Sequence, residues 1–305
     1  MARPGCPHLQ LKQSNIAVEV LSVDSLTHVL MGHAMGALAA AVAPEAGPAV
    51  YWAAFLGNSL PDIDVPLSVL MRRGIQLHRT YTHTLAGAAA LSAAATLVLA
   101  TVFPAAGPAR LFTWTLLGTL AHLLVDCLNL FGARPFWPLS HRQVELGVLH
   151  ITDPWLLLLL GVPALGARAG WLAGDWLGAA FAAMWLYVGL RYVTARRLLR
   201  NLLRTGSHRA RVVPWFSGWR YVAETVDTVE FGRWLRGRRV ALETFVKRKD
   251  PRIAASLEDP RVDQFLREAE YPVALVREDE VIWIDALRRL RADFRPLRIP
   301  VQIEA

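Results

Sequence analysis

The chain has 305 residues, of which 54% are hydrophobic, and its formal net charge is +8. The apolar content favours a membrane protein over a soluble one. The presence of only two cysteines argues against a secreted domain stabilised by several disulfide bonds. The charge is uneven, because 24 of the 33 lysines and arginines lie at or after Arg191. An apolar part therefore precedes a basic part.

The N-terminal region has no apolar signal-peptide core, and we expect residues 1–24 to form a cytosolic extension. Two short apolar segments follow, residues 25–43 and 49–60. A helix of about 12 residues is too short to cross the roughly 30 Å hydrocarbon core of a bilayer. The two segments therefore predict either a hairpin that crosses imperfectly or helices packed inside the protein.

Four further apolar segments predict the membrane bundle, and they cover residues 84–103, 111–131, 154–167 and 171–190. The first is uncharged and long enough to span a bilayer. The last two carry four tryptophans, a residue enriched at membrane interfaces. Residues 25–193 thus predict an all-α polytopic membrane helical bundle.

Arginines in the connecting loops predict the orientation of this bundle. Arg72, Arg73 and Arg79 fall in one loop, Arg134 and Arg142 in another, and five more arginines follow the last span. If the helices alternate in direction, all three groups lie on one side. The positive-inside rule makes that side cytoplasmic, so we expect a multi-pass inner-membrane protein with both termini inside.

The remainder of the chain, residues 206–305, is predicted to be a small C-terminal cytosolic α+β region. VALVRE and VIWIDAL are typical of strands, and DPRVDQFLREAE and IDALRRLRADF are typical of helices. From Arg191 onward, 16 acidic residues offset the basic ones. That balance disfavours nucleic acid as a partner, and membrane lipid is favoured because the apolar part already indicates a membrane.

A histidine and an aspartate near the end of one span are the first candidates for chemistry. His122 and Asp126 are four residues apart, which places both on one face of a helix. An imidazole and a carboxylate so placed can share a divalent ion. Ionisable groups inside a span are costly and indicate function. The structural alternative is a buried His–Asp hydrogen bond that locks two helices.

Two aspartates follow the second apolar segment. Asp62 and Asp64 stand just after Pro61, and two carboxylates at this spacing repel each other unless a positive group lies near them. A metal ion would supply that charge, with Asp62 as a ligand and Asp64 as the residue that orients a ligand or acts as general base. The alternative is a turn or helix cap.

A short polar stretch precedes the span that begins near residue 84. His78 and His83 flank Arg79 there. Mixed nitrogen and oxygen ligands suit Zn²⁺ or Mn²⁺. Arg79 is predicted to stabilise charge on a phosphoryl group, which a guanidinium binds with two parallel hydrogen bonds. A positive-inside membrane anchor is the equal alternative for Arg79.

The first apolar segment holds two more histidines, His28 and His33. They do not share a helical face well, and His28 is the better candidate ligand because it lies nearer the expected cytoplasmic end. Four residues of a later loop could complete or gate the site: His141, Glu145, His150 and Asp153. Asp153 precedes Pro154 and a span, so a helix-capping role is at least as well supported.

Six motifs in a fixed order resemble one known family. They are DSLTHVLMG, LPDID, HRTYTHT, HLLVDCLN, FWPLS and ITDP, within about residues 24–193. The set resembles the YdjM-type family of membrane-bound metal-dependent hydrolases, thought to be distantly similar to zinc phospholipase C and the S1/P1 nucleases. The resemblance implies metal-ligand roles for His28, Asp62, His78 or His83, His122 and Asp126. Residues 206–305 lie outside it.

Together these features lead to the hypothesis of a metal-dependent phosphoesterase at the cytoplasmic membrane face. The expected cofactor is a divalent metal, Zn²⁺ with Mn²⁺ as the alternative, held by His28, Asp62, His78, His83, His122 and Asp126. The expected substrate is a phospholipid or lipid-linked phosphate. The alternative is a metal-binding membrane protein without enzymatic activity, either a transporter or a scaffold for the C-terminal region.

Overall fold

The computed structural model of the chain describes residues 7–63, 81–130, 132–150, 153–171, 175–216, 218–287 and 296–301. The chain divides into two compact units, Met1–Arg191 and Tyr192–Ala305.

The first unit is helical. In chain order its helices are α1 (Pro7–Val42), α2 (Pro48–Ser59), α3 (Leu85–Val102), α4 (Pro108–Leu128), α5 (Pro154–Arg168) and α6 (Asp175–Arg204), the last of which continues into the second unit. Each of the six predicted apolar segments overlaps one of them. Within the described ranges, four helical stretches are long and apolar enough to cross a membrane: Ser25–Val42, Leu85–Val102, Pro108–Leu128 and Trp176–Arg204.

Proline and a few capping groups set where these helices begin. α2, α4 and α5 each start with proline, whose missing N–H would lack an intrahelical partner at that position anyway. The hydroxyl of Thr84 accepts a hydrogen bond from the Gly87 amide, which caps α3. α2 has only 12 residues, which is too short to span a bilayer.

The buried and exposed faces of α3 differ in the size of their side chains. Small residues such as Ala88, Ser92 and Ala95 are buried against the bundle. Large aliphatic side chains on the other side remain exposed, including Leu97 at 73% and Val98 at 64%. An apolar outer face is what a helix surrounded by lipid requires, whereas in water it would be a liability.

The second unit contains two antiparallel sheets. The first has the order β1 (Arg209–Trp215), β2 (Gly218–Glu224), β3 (Thr228–Leu235) and β4 (Arg238–Val246). β3 and β4 are joined by Arg236 and Gly237, both with positive φ, as in the tight turns that match the twist of a hairpin. The last turns of α6 pack on one face of this sheet, where Leu202 and Tyr221 belong to the same buried cluster.

Two short helices and a second sheet complete this unit. The helices are α7 (Pro251–Ser256) and α8 (Pro260–Glu268), capped by the side chains of Asp250 and Asp259. The sheet has the order β5 (Pro272–Val276), β6 (Glu280–Asp285) and β7 (Leu297–Pro300).

The prediction of an all-α fold class, with only a small α+β region, is wrong for this chain. Seven strands in two antiparallel sheets lie in the described part of the C-terminal region. The four-stranded sheet was missed because its strands carry arginines on both faces and do not alternate cleanly between apolar and polar residues. The predicted helix IDALRRLRADF begins inside β6, and most of its length lies outside the described residues.

Candidate metal centre

Five polar side chains converge at one end of the helical unit. His122 and Asp126 lie in the last two turns of α4, and His83 stands just before α3 begins. His28 comes from the first part of the apolar stretch of α1, and Asp62 from a single 3₁₀ turn, Leu60–Ile63, that follows α2. Antiparallel helices bring these ends together, although the residues span almost a hundred positions of the chain.

Two glycines allow α2 and α4 to approach closely at this end. A Cβ added to Gly57 would lie 2.1 Å from the Thr115 carbonyl oxygen, and one added to Gly118 would lie 2.5 Å from that of Ala54. The side chain of Asn58 donates a hydrogen bond across the crossing to the Gly118 carbonyl oxygen, over 3.1 Å. Only glycine permits this backbone contact, as in small-residue helix packing generally.

The close crossing orients His122. Asn58 is in the last turn of α2, where carbonyl groups have no intrahelical partner. Its carbonyl oxygen lies 2.7 Å from Nδ1 of His122. Since a carbonyl can only accept, Nδ1 carries the hydrogen, and the neutral ring presents its Nε2 lone pair to the cluster.

Four ligand-type atoms lie close together at this end of the unit. They are Nε2 of His122, Nε2 of His83, Oδ1 of Asp62 and Oδ2 of Asp126. Nε2 of His83 lies 3.1 Å from Nε2 of His122, 3.4 Å from the Asp62 oxygen and 3.2 Å from the Asp126 oxygen. Nε2 of His122 lies 3.6 Å from each of the two carboxylate oxygens.

These separations are typical of ligands that share a metal ion, and Asp62, His83 and His122 form one group whose ligand atoms are close enough for an ion. Ligands about 2.1 Å from a tetrahedral ion are about 3.4 Å from one another. The five separations just given, between 3.1 and 3.6 Å, all fall near that value. Nε2 of His122 and the carboxylate oxygens of Asp62 and Asp126 are groups that bind divalent cations. The residues therefore fit a divalent ion.

His28 extends the cluster on the other side of Asp126. Its Nε2 lies 3.4 Å from Oδ1 of Asp126, whereas Oδ2 of the same carboxylate faces His83 and His122. The rings of His28 and His122 stack with centroids 3.7 Å apart. His28, His122 and Asp126 thus form a second group with ligand atoms close enough for an ion. Asp126 is placed to bridge two positions.

A layer of hydrogen bonds supports the ligands. Asn129 donates from its side chain to Oδ1 of Asp126 over 3.3 Å, while its own Oδ1 accepts from the Gly132 amide. The hydroxyl of Thr82 lies 2.8 Å from Nδ1 of His83. Such supporting bonds fix ligand orientation and are part of most metal sites.

The cluster is closed on most sides and opens at Asp62. His28, His83, His122 and Asp126 are at most 1% exposed, whereas the Asp62 side chain is 13% exposed. Burial raises the pKa of Asp62, but His122 and then His83 act against it and hold the pKa below its usual range. By its exposure, Asp62 is the carboxylate at the accessible edge of the site.

The other predicted site residues are distributed as follows. Asp64, His78 and Arg79 lie outside the described residues. His33 lies apart from the cluster and is hydrogen-bonded to the hydroxyl of Tyr51. Asp153 caps α5 through the amides of Trp155 and Leu156 and accepts a hydrogen bond from Tyr187. The capping interpretation of Asp153 is thus confirmed.

Asn58 and Asn129 were not among the predicted residues. Asn129 had a usable signal, because it follows Asp126 by three residues within the HLLVDCLN motif. Asn58 acts on His122 through its backbone carbonyl, which no side-chain pattern reveals.

The part of the chain that holds this cluster matches a known protein family. The model of the YdjM inner membrane protein family matches residues 23–198, which include all five clustered residues. An uncharacterized protein of Bacillus subtilis (strain 168), YfhP, is 29% identical over 262 residues, or 80% of this chain and 79% of the relative. No solved structure gives a significant match. The chain therefore belongs to the YdjM family of inner membrane proteins.

Proposed function

We propose that the protein is a membrane-bound metal-dependent hydrolase that cleaves a phosphoester. The observation that carries the proposal is the close grouping of ligand atoms from Asp62, His83, His122 and Asp126 at the end of a membrane bundle. Two imidazoles and two carboxylates suit Zn²⁺, with Mn²⁺ as the alternative. A divalent ion held there would act as a Lewis acid toward water and a phosphoryl oxygen.

The chain's own residues would orient the ion and the substrate. The Asn58 carbonyl holds His122 with Nε2 facing inward, and Asn129 holds one oxygen of Asp126. Asp62, at the accessible edge, marks the side from which water and a substrate would enter. In this proposal Asp64 orients a ligand or takes a proton from water, and Arg79 binds phosphoryl oxygens.

The position of the cluster supports a lipidic substrate. His122 and Asp126 occupy the end of a candidate span, and His83 immediately precedes another. A site at that depth meets phosphate groups of phospholipids or lipid-linked phosphates. We infer from the arginine distribution along the sequence that the site lies at the cytoplasmic face.

One observation favours a second function, a metal site without catalysis. Four of the five clustered side chains are almost completely buried. Structural metal sites are closed, whereas catalytic ones keep an open position. A metal that only joins α1, the turn after α2, the start of α3 and α4 would satisfy the same contacts, and the protein would then be a scaffold or transporter.

Metal content of the detergent-purified protein tests both proposals. We expect stoichiometric zinc or manganese in the wild type and its loss in His122→Ala/Asp126→Ala, whereas His33→Ala, which removes a histidine outside the cluster, keeps it. No metal in the wild type after reconstitution would refute both functions.

Phosphoesterase assays on metal-loaded protein then distinguish the enzyme from the structural metal site. Hydrolysis that Asp64→Asn abolishes without loss of metal supports the enzyme, and inactivity toward phospholipids and soluble phosphoesters supports the structural site.

A further inference from the structure

One face of the first sheet carries a concentrated positive charge near its two hairpin ends. Strand register places Arg220 of β2 directly opposite Arg233 of β3, and Leu235 opposite Arg238 across the β3–β4 hairpin. Directly paired residues share a face of the sheet. Trp215 pairs with Gly218 at the end of β1 and lies on this face as well. We call Trp215, Arg220, Arg233, Leu235 and Arg238 the arginine face.

The strand segments around these arginines contain no acidic residue. Residues 209–223 and 231–242 contain no aspartate or glutamate. Within the described part of the chain, Arg220, Arg233 and Arg238 form no ion pair, although other arginines of the same unit do. Like charges placed directly opposite each other in a sheet are destabilising. Burial and then the nearby Arg233 guanidinium lower the pKa of Arg220.

Aromatic and aliphatic groups accompany the arginines. The guanidinium carbon of Arg220 lies 3.3 Å from the ring centroid of Trp215. Leu235 is 48% exposed, and Phe216, in the neighbouring hairpin end, is 46% exposed. Stacking on an aromatic ring holds a guanidinium in place while leaving its N–H groups available to oxygen ligands. Arginine beside tryptophan and exposed apolar groups is the composition of a membrane-interface surface.

We propose that the arginine face binds the phosphate groups of anionic phospholipids. Paired guanidinium groups bind phosphate oxygens in a bidentate manner, and a bound phosphate would relieve the repulsion between Arg220 and Arg233. Lipid is the favoured source of phosphate because α6 is a candidate span, and only residues 205–208 separate it from β1. The chain thus connects the sheet directly to a helix that contains a candidate span. This inference does not depend on the metal centre.

Amide hydrogen exchange of the full-length protein in lipid nanodiscs tests the proposal. Discs of phosphatidylcholine are compared with discs that also contain phosphatidylglycerol. We expect exchange in the peptides around residues 215–220 and 233–238 to slow several-fold in the anionic discs and to recover at high salt. Arg220→Gln/Arg233→Gln should lose this difference. Arg261→Gln/Arg267→Gln removes the same charge from exposed positions of α8 and should retain it.

Exchange at the buried residues 221–223 of the sheet shows whether each variant is folded. Should the double variant not fold, the comparison between disc compositions and salt concentrations in the wild type remains decisive. Equal exchange in both disc types would overturn the proposal. Protection that appears only when an oligonucleotide is added to neutral discs would overturn it in favour of nucleic acid.

Discussion

His122 donates its Nδ1 hydrogen to the carbonyl oxygen of Asn58 over 2.7 Å, so the end of α2 orients a side chain of α4. That contact exists only because Gly57 and Gly118 let the two helices approach at backbone distance. The geometry of the metal cluster therefore depends on two residues that have no side chain.

Gly118→Ala should weaken metal binding although it changes none of the candidate ligand residues. The new methyl group would lie 2.5 Å from the Ala54 carbonyl oxygen, so α2 must move and carry the Asn58 carbonyl away from His122. We expect a loss of about 1–3 kcal/mol in stability from overpacking. We also expect metal affinity to fall about 10- to 100-fold, as for other supporting groups. Thermal unfolding and competition with a chelator measure the two effects.

Gly189→Ala is the matched control for this substitution. A Cβ there meets no atom of the described residues within 4 Å, although Gly189 also lies in a candidate span. It should leave metal affinity unchanged. Equal affinity in the Gly118 and Gly189 variants would contradict the role of the close crossing.

Asn129→Ala should reduce metal affinity about 10- to 100-fold. The substitution removes the donor to Oδ1 of Asp126 and the acceptor of the Gly132 amide, so the carboxylate and the loop after α4 both lose a buried bond. Leaving buried groups without partners costs about 1–3 kcal/mol each. Isothermal titration with Zn²⁺ measures the affinity. Unchanged affinity together with lowered stability would make Asn129 a purely structural residue.

Asp153→Ser should keep both the fold and the bound metal, whereas Asp153→Ala should lose about 1 kcal/mol or more of stability. Serine can still accept hydrogen bonds from the amides at the start of α5, which Asp153 now caps. Thermal unfolding and metal content distinguish the roles. If Asp153→Ser loses metal while remaining folded, Asp153 contributes to the site.

The apolar segments and the core of the site were accessible from sequence because their signals are local. Uncharged runs identify helices, and His122 with Asp126 at helical spacing identifies a shared face. That His28, Asp62 and His83 join them depends on how helix ends meet. For those residues the order of the motifs was informative, whereas composition and periodicity were not.

The four-stranded sheet shows where local signals were insufficient. β2 is buried on both faces at Tyr221, Val222 and Ala223, so its pattern lacks the alternation expected of a half-solvated strand. The Arg236–Gly237 turn was the available signal, since a glycine between two β-rich runs is typical of a hairpin. The contact of Asn58 with His122 had no comparable signal.

Alkaline pH should destabilise the second unit through Tyr221. Burial, and then the hydrogen bond to Glu230, raises the pKa of Tyr221 from 10.0 to about 12. Because the folded pKa exceeds the unfolded one, the contribution of Tyr221 is fully present below pH 10.0 and is lost as the pH rises through about 12. The difference in tyrosinate absorbance between wild type and Tyr221→Phe measures this titration. A midpoint at or below the unperturbed value would contradict the prediction.

The end of the bundle that holds the metal cluster should face the cytoplasm. Arginines cluster in the loops at that end, and the positive-inside rule then places the Pro104–Ala106 turn between α3 and α4 outside. Ala105 and His141 are both exposed and belong to loops at opposite ends of α4. In a background with Cys6 and Cys127 replaced, a membrane-impermeant maleimide should label Ala105→Cys in intact cells and His141→Cys only in inverted vesicles. The reverse pattern would place the cluster, and any substrate it meets, on the outer face.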